Sequence, residues 1–195
     1  RSAALNPCYA RLMVDLLSAI ESLNVAKKDG IRRPHKPLLL LLALGRCQRG
    51  ESRLVRYDEL RETLNDMLIE YAPPIKGAHA PERPYWHLCS DGVWEIPGRE
   101  TMELRKGNRF PMMSALAASE GGLPYALHEQ LTSDSGLIEK AARRILEQYF
   151  PESLWGSVLE SAGLSLGFES ASSEPAMLKR KRRNPNFRRE VLRAY

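Results

Sequence analysis

Apolar side chains at Leu12, Met13, Leu16, Leu17, Ile20 and Leu23 recur every three or four positions, which predicts an amphipathic helix within residues 8–24. Lys28-Asp29-Gly30 then breaks the pattern as a loop. The next segment differs in kind. Leu38-Leu39-Leu40-Leu41-Leu42-Ala43-Leu44 is apolar on every side, so it predicts a helix buried in the domain centre, ending near Gly45 or Gly50. It is too short to cross a membrane, which takes about 20 residues. Pro37 suits its first turn, because proline has no N–H to lose there and its φ is already helical. Tyr57 to Tyr71 repeats Leu60, Leu64, Met67 and Leu68 behind Asp58, and Pro73-Pro74 stops it. Residues 72–84, rich in Pro, Gly, His and Ala, read as a surface loop. Tyr85-Trp86-His87-Leu88 and Val93-Trp94-Glu95-Ile96 flank Ser90-Asp91-Gly92 and predict a β-hairpin with an Asp-Gly turn. Short helices are expected at 100–106, 112–119 and 124–131, and a stronger one at 135–149. Pro151 opens a last turn through Leu159. The fold class is therefore mostly α with a small β-hairpin (α+β), a compact helical domain around a central Leu-rich helix.

At 195 residues with 43% hydrophobic and 27% charged side chains, the chain has the composition of a globular domain. Residues 1–160 read as that domain, 161–178 as a Ser-, Ala-, Gly- and Glu-rich linker, and 179–195 as a basic segment. There is no internal repeat and no N-terminal signal pattern, and Arg1-Ser2-Ala3-Ala4 looks like an internal start. Cys8, Cys47 and Cys89 are odd in number and far apart, which fits reduced thiols in a cytoplasmic protein.

The net charge of +5 is unevenly placed. Residues 178–195 hold eight basic side chains against Glu190 alone, a local balance of +7. The first 177 residues keep 21 basic and 23 acidic side chains, or −2. Any nucleic-acid binding by the globular part must therefore use a local patch. Two patches qualify. Lys27, Lys28, Arg32, Arg33 and Lys36 oppose only Asp29, and Arg99, Arg105, Lys106 and Arg109 oppose Glu100 and Glu103. The first includes the mouth of the leucine helix, where unpaired backbone N–H groups favour an anion beside His35 and Lys36. The plain alternative for each patch is a solvated charged face.

No catalytic constellation is present. His35, His79, His87 and His128 lie in separate segments with no HExxH pair, and there is no Gly-rich phosphate loop, no G-x-S-x-G and no metal-ligand spacing. Asp91 reads as a turn residue.

Arg33-Pro34-His35-Lys36-Pro37-Leu38-Leu39-Leu40, Tyr71-Ala72-Pro73-Pro74, Pro84-Tyr85-Trp86-His87-Leu88 and Asp91-Gly92-Val93-Trp94-Glu95 together resemble the sulfur-binding domain of bacterial phosphorothioate-dependent (type IV) HNH restriction endonucleases, over roughly residues 5–160. The tail, Asn184-Pro185-Asn186-Phe187-Arg188-Arg189-Glu190-Val191-Leu192-Arg193-Ala194-Tyr195, is similar to the lead-in of an HNH nuclease domain. The resemblance implies a recognition module that binds phosphorothioate-modified double-stranded DNA and directs an HNH nuclease to it, without catalytic residues, metal or cofactor of its own. A divalent metal is expected only for the nuclease domain.

The resemblance places an apolar sulfur dent at Pro84, Tyr85 and His87, with Arg33, His35, Lys36, Arg83 and Arg109 as DNA-binding residues. The family pattern carries an aromatic residue where this chain has Arg83 and a small one where it has His87. His87 then either narrows the dent, donates to the phosphate, or is a satisfied structural histidine. A bacterial cytoplasmic location follows, with no membrane partner, and a homodimer is left open. Two other readings remain: a helical interaction or dimerisation domain of a nuclease, and a non-specific nucleic-acid binder acting through the basic tail.

Overall fold

In a computed structural model, residues 15–28, 31–72, 79–106 and 110–167 are described. The leucine run does form the centre. Helix α2, His35–Gln48, buries Leu38 through Leu44 at 6% exposure or less. Around it pack α3 (Tyr57–Tyr71), α4 (Glu82–His87), α6 (Tyr125–Ser133), α7 (Ser135–Tyr149) and α8 (Trp155–Ala162), while α5 (Met113–Ala117) lies on α3. A helix that is apolar all round needs cover all round, and these helices supply it. Helix α1, Leu16–Glu21, lies on α7 and is capped by the Asp15 carboxylate, which accepts the Leu17 N–H. Leu12 and Met13 of that expected helix lie outside the described residues, as does Cys8. Cys47 and Cys89 are free thiols.

The β structure is small, as expected, but it is not where the aromatic run placed it. Strands β1 (Lys27–Lys28) and β2 (Ile31–Arg32) form one antiparallel pair. Strands β3 (Leu54–Arg56) and β4 (Glu120–Gly122) form another, in the register Leu54↔Gly122 and Arg56↔Glu120. Gly122 also bridges Glu95, with hydrogen bonds of 2.8 and 3.0 Å. A Cβ on Gly122 would meet the Arg53 carbonyl oxygen at 2.0 Å, so only glycine fits between these backbones.

The expected hairpin over Tyr85–Ile96 is corrected. Tyr85, Trp86 and His87 close helix α4, and a 3₁₀ turn, Leu88–Asp91, follows. Pro81, Pro84, Tyr85 and Leu88 are all buried, an i, i+3, i+4, i+7 spacing that a strand cannot use. Gly92 ends the turn at φ 76°, so the Asp-Gly pair closes a 3₁₀ turn and not a β-hairpin. The helix expected at 100–106 is likewise only a 3₁₀ turn, Arg99–Thr101. After it an extended ribbon forms, in which Arg105 N–H bonds the Phe110 carbonyl and Met112 N–H bonds the Glu103 carbonyl, both at 2.9 Å. Residues 161–167, expected as linker, pack on the domain. Leu164 is in the core, Arg49 donates to the carbonyls of Ala162 and Gly163, and Gln48 exchanges two bonds with Ser165. The rest of the linker and the basic segment lie outside the described residues. No helix among the described residues is long and apolar enough to cross a membrane.

Candidate functional site

The site grows from the mouth of α2. Pro34 is its N-cap, and the first intrahelical bond runs from Leu38 N–H to the Pro34 carbonyl. The N–H groups of His35 and Lys36 therefore have no acceptor within the helix, and Pro37 has none to satisfy. Helix α4 packs on α2, with Arg83 near His35 and His87 near Lys36.

His35 is only 7% exposed, yet neither ring nitrogen has a hydrogen-bond partner among the described residues, and the same holds for one terminal nitrogen of Arg33. Burial, then the charges of Arg33, His79 and Arg83, lowers the His35 pKa to about 4. The expected cation at His35 is thus corrected to a neutral imidazole at pH 7. Buried unpaired polar groups are uncommon, because each costs about 1–3 kcal/mol. Here two of them sit side by side with two further basic side chains, an arrangement short of an anion.

Lys36 takes a different course. Its Nζ lies 2.6 Å from the Asp91 carboxylate, with the two side chains 11% and 7% exposed. Asp91 also accepts the Asn24 N–H at 2.9 Å. This acid, read from sequence as a turn residue, ties together the segment after α1, the mouth of α2 and the turn after α4. No local pattern signals it, since its partners are 55 and 67 residues away.

On α4, Arg83, Pro84 and His87 share one side, at the helical spacings of three and four. Pro84 is buried, while Arg83 and His87 are exposed. The His87 ring lies 6.1 Å from that of Phe110. Partial desolvation, then Lys36, Arg83 and Arg99, lowers its pKa, and Asp91 opposes them. Pro84 thus shares a helix side with His87, whose own ring neighbours Phe110, and Lys36, Arg83 and Arg99 lie near enough to His87 to lower its pKa.

Tyr85 is not part of it. It is fully buried, edge-on to Tyr57 at 4.9 Å and to Trp94 at 5.5 Å. A strand would put Tyr85 and His87 on one face, whereas a helix turns them roughly 200° apart. Arg109 lies outside the described residues, although the neighbouring Phe110 is placed. The described part thus brings Arg33, His35, Lys36, Arg83, Pro84 and His87 together and removes Tyr85. No group of three or more potential metal ligands occurs among the described residues.

Residues 13–166 match the family model described as ScoMcrA-like, DNA sulfur-binding domain. The fold is similar to the sulfur binding domain of ScoMcrA complexed with phosphorothioated DNA, at TM-score 0.67 and 24% identity over 76% of this chain and 94% of that one. It is also similar to the sulfur binding domain of SprMcrA complexed with phosphorothioated DNA, at TM-score 0.62 and 25% identity over 77% and 93%. The type IV phosphorothioation-dependent restriction endonuclease ScoMcrA aligns at TM-score 0.64 and 22% identity, but the chain covers only 32% of it. The chain matches no curated protein sequence.

Proposed function

The chain belongs to the ScoMcrA-like DNA sulfur-binding domain family, and from that premise we propose that it binds phosphorothioate-modified double-stranded DNA and addresses an HNH nuclease to it in the bacterial cytoplasm. The observation that carries this reading is the buried His35 ring with neither nitrogen partnered, next to one buried, unpartnered terminal nitrogen of the half-buried Arg33, at the mouth of α2 beside the Pro84 side of α4.

The chemistry follows from the properties of sulfur. A phosphorothioate replaces one non-bridging oxygen with a larger, softer and more weakly hydrated atom. Against the Pro84 ring, sulfur gives up little hydration, whereas an oxygen would forfeit hydrogen bonds to water at roughly 1–3 kcal/mol. That difference is worth about 10- to 100-fold in affinity. The remaining phosphate oxygen would accept from the Arg33 guanidinium and from the free N–H groups of α2, with His35 donating through one ring nitrogen. Arg83 and His87 would hold the rim. Base reading in the groove falls to Arg33, Arg83 and Arg109, since Arg to guanine is the commonest specific contact.

The test is Pro84→Gly. Fluorescence anisotropy with a labelled duplex, modified at one linkage or unmodified, is expected to show the two affinities converging while the variant still melts cooperatively. A folded Pro84→Gly that keeps the original ratio would overturn the dent.

A further inference from the structure

Two groups of arginines differ in what they meet, and Arg53 meets both a carboxylate and, at 6.0 Å, the Tyr125 ring. Arg46, Arg49, Arg53, Arg56, Arg143 and Arg144 each reach a carboxylate. Arg99 and Arg105 reach none among the described residues, although Glu100 and Glu103 stand close in sequence. They lie over aromatic rings instead. The Arg99 guanidinium carbon is 4.2 Å from the centre of the Trp86 ring, and that of Arg105 is 5.3 Å from the centre of Phe110. The two rings meet edge-to-face at 6.1 Å. The Arg99 Nε is buried without a hydrogen-bond partner.

The distinction matters chemically. A carboxylate partner consumes a guanidinium's in-plane N–H donors and cancels its charge. A ring beneath the guanidinium fixes its plane and leaves the donor fork free. Backbone geometry adds rigidity, because Arg105 is held opposite Phe110 by a 2.9 Å bond across the ribbon. The pair also adjoins the site. Phe110 contacts both Trp86 and His87, and Arg99 is among the cations that lower the His87 pKa.

Resting on the DNA-binding reading above, we infer that Arg99 and Arg105 form a second phosphate subsite, which takes a neighbouring, unmodified backbone phosphate of the same duplex. It supplies affinity and register but no sulfur preference, because it presents charged forks and no apolar wall to the phosphate.

Arg99→Ala, Arg99→Lys, Arg105→Ala and the control Arg61→Ala, an exposed arginine on α3, are titrated against modified and unmodified duplexes over a salt series. Thermal melting of each variant first establishes that it is folded. Arg99→Ala and Arg105→Ala are each expected to weaken both duplexes by about tenfold, leave their ratio unchanged, and reduce the salt slope by about one. Arg99→Lys should keep the slope but recover only part of the affinity, since an ammonium has no planar fork. Arg61→Ala should change neither.

Wild-type affinity in both alanine variants would overturn the subsite and leave the sulfur reading intact. A loss confined to the modified duplex would also overturn it, by moving these arginines into the dent. If the intact chain showed no sulfur preference, the functional reading would fail instead. Equal losses on unmodified DNA would still support the subsite.

Discussion

The Lys36–Asp91 pair gives the sharpest separation of stability from binding. Its side chains are 11% and 7% exposed and 2.6 Å apart, so each screens the other from the cost of burial. Removing one partner of such a pair typically costs about 3–5 kcal/mol, because the other charge is stranded. Asp91→Asn is milder. Asparagine keeps one of the two acceptor oxygens, enough for either the Asn24 N–H or Nζ, so a loss of roughly 1–3 kcal/mol is expected. Lys36→Met strands a carboxylate that retains only the Asn24 bond and should cost about 3 kcal/mol. In a domain of this size that corresponds to a Tm lower by roughly 6–12 °C. In the double variant the losses should fall short of additive by about 1–3 kcal/mol.

Binding should move differently. An acid sharing Lys36 with a bound phosphate would lie on the order of 6 Å from it, a repulsion of about 0.7 kcal/mol in water and about 3 at an effective dielectric near 20. Asp91→Asn should therefore tighten DNA at least about threefold while it destabilises the fold. Lys36→Met should weaken both. Urea unfolding and anisotropy on the four proteins measure the cycle. Should Asp91→Asn lose affinity as Lys36→Met does, Asp91 does not compete with the phosphate and the reasoning fails.

The His35 pKa of about 4 makes its contribution to stability greatest above the ordinary histidine value near 6.5. Between these values the unfolded chain binds the proton and the folded chain does not, so stability falls as pH drops through that window, by about 3 kcal/mol. His35→Phe should flatten this part of a Tm–pH profile, and a profile equally steep in the variant would contradict it. A bound phosphate favours protonated His35, so affinity should rise from pH 7.5 to 5.5 in wild type more than in His35→Gln, as read by anisotropy. Deleting residues 178–195, which carry +7, should weaken all DNA binding and flatten its salt dependence without altering the modified-to-unmodified ratio. A collapsed ratio would place the tail in the recognition site. Lys27→Ala and Lys28→Ala, short of the α2 mouth, should each cost less affinity than Arg33→Ala in the same titration.

Helices α2, α3 and α7 were legible because their signals are local: an all-round apolar run behind Pro37, Asp58 and Glu59 in a first turn, and the Asp134 cap. Helix α4 was misread because Tyr, Trp and the Asp-Gly pair carry strong strand and turn preferences. Yet Pro81, Pro84, Tyr85 and Leu88 already showed helical spacing, and the helical period explains why Tyr85 left the site. The α2 mouth was legible for the same local reason as the helix itself. The charge state of His35, the Asp91 tie to Lys36 and the seat of Arg99 on Trp86 were not, since each depends on packing between segments that no period connects. Opposite charges in a basic patch look alike in sequence whether they are paired or free.

The central claim is that the cluster at the α2 mouth and Pro84 prefers sulfur to oxygen on a DNA phosphate. It is tested most directly by titrating the intact chain, at fixed salt, against two duplexes identical except for one phosphorothioate linkage. The modified duplex is expected to bind about 10- to 100-fold more tightly. Equal affinities would contradict it.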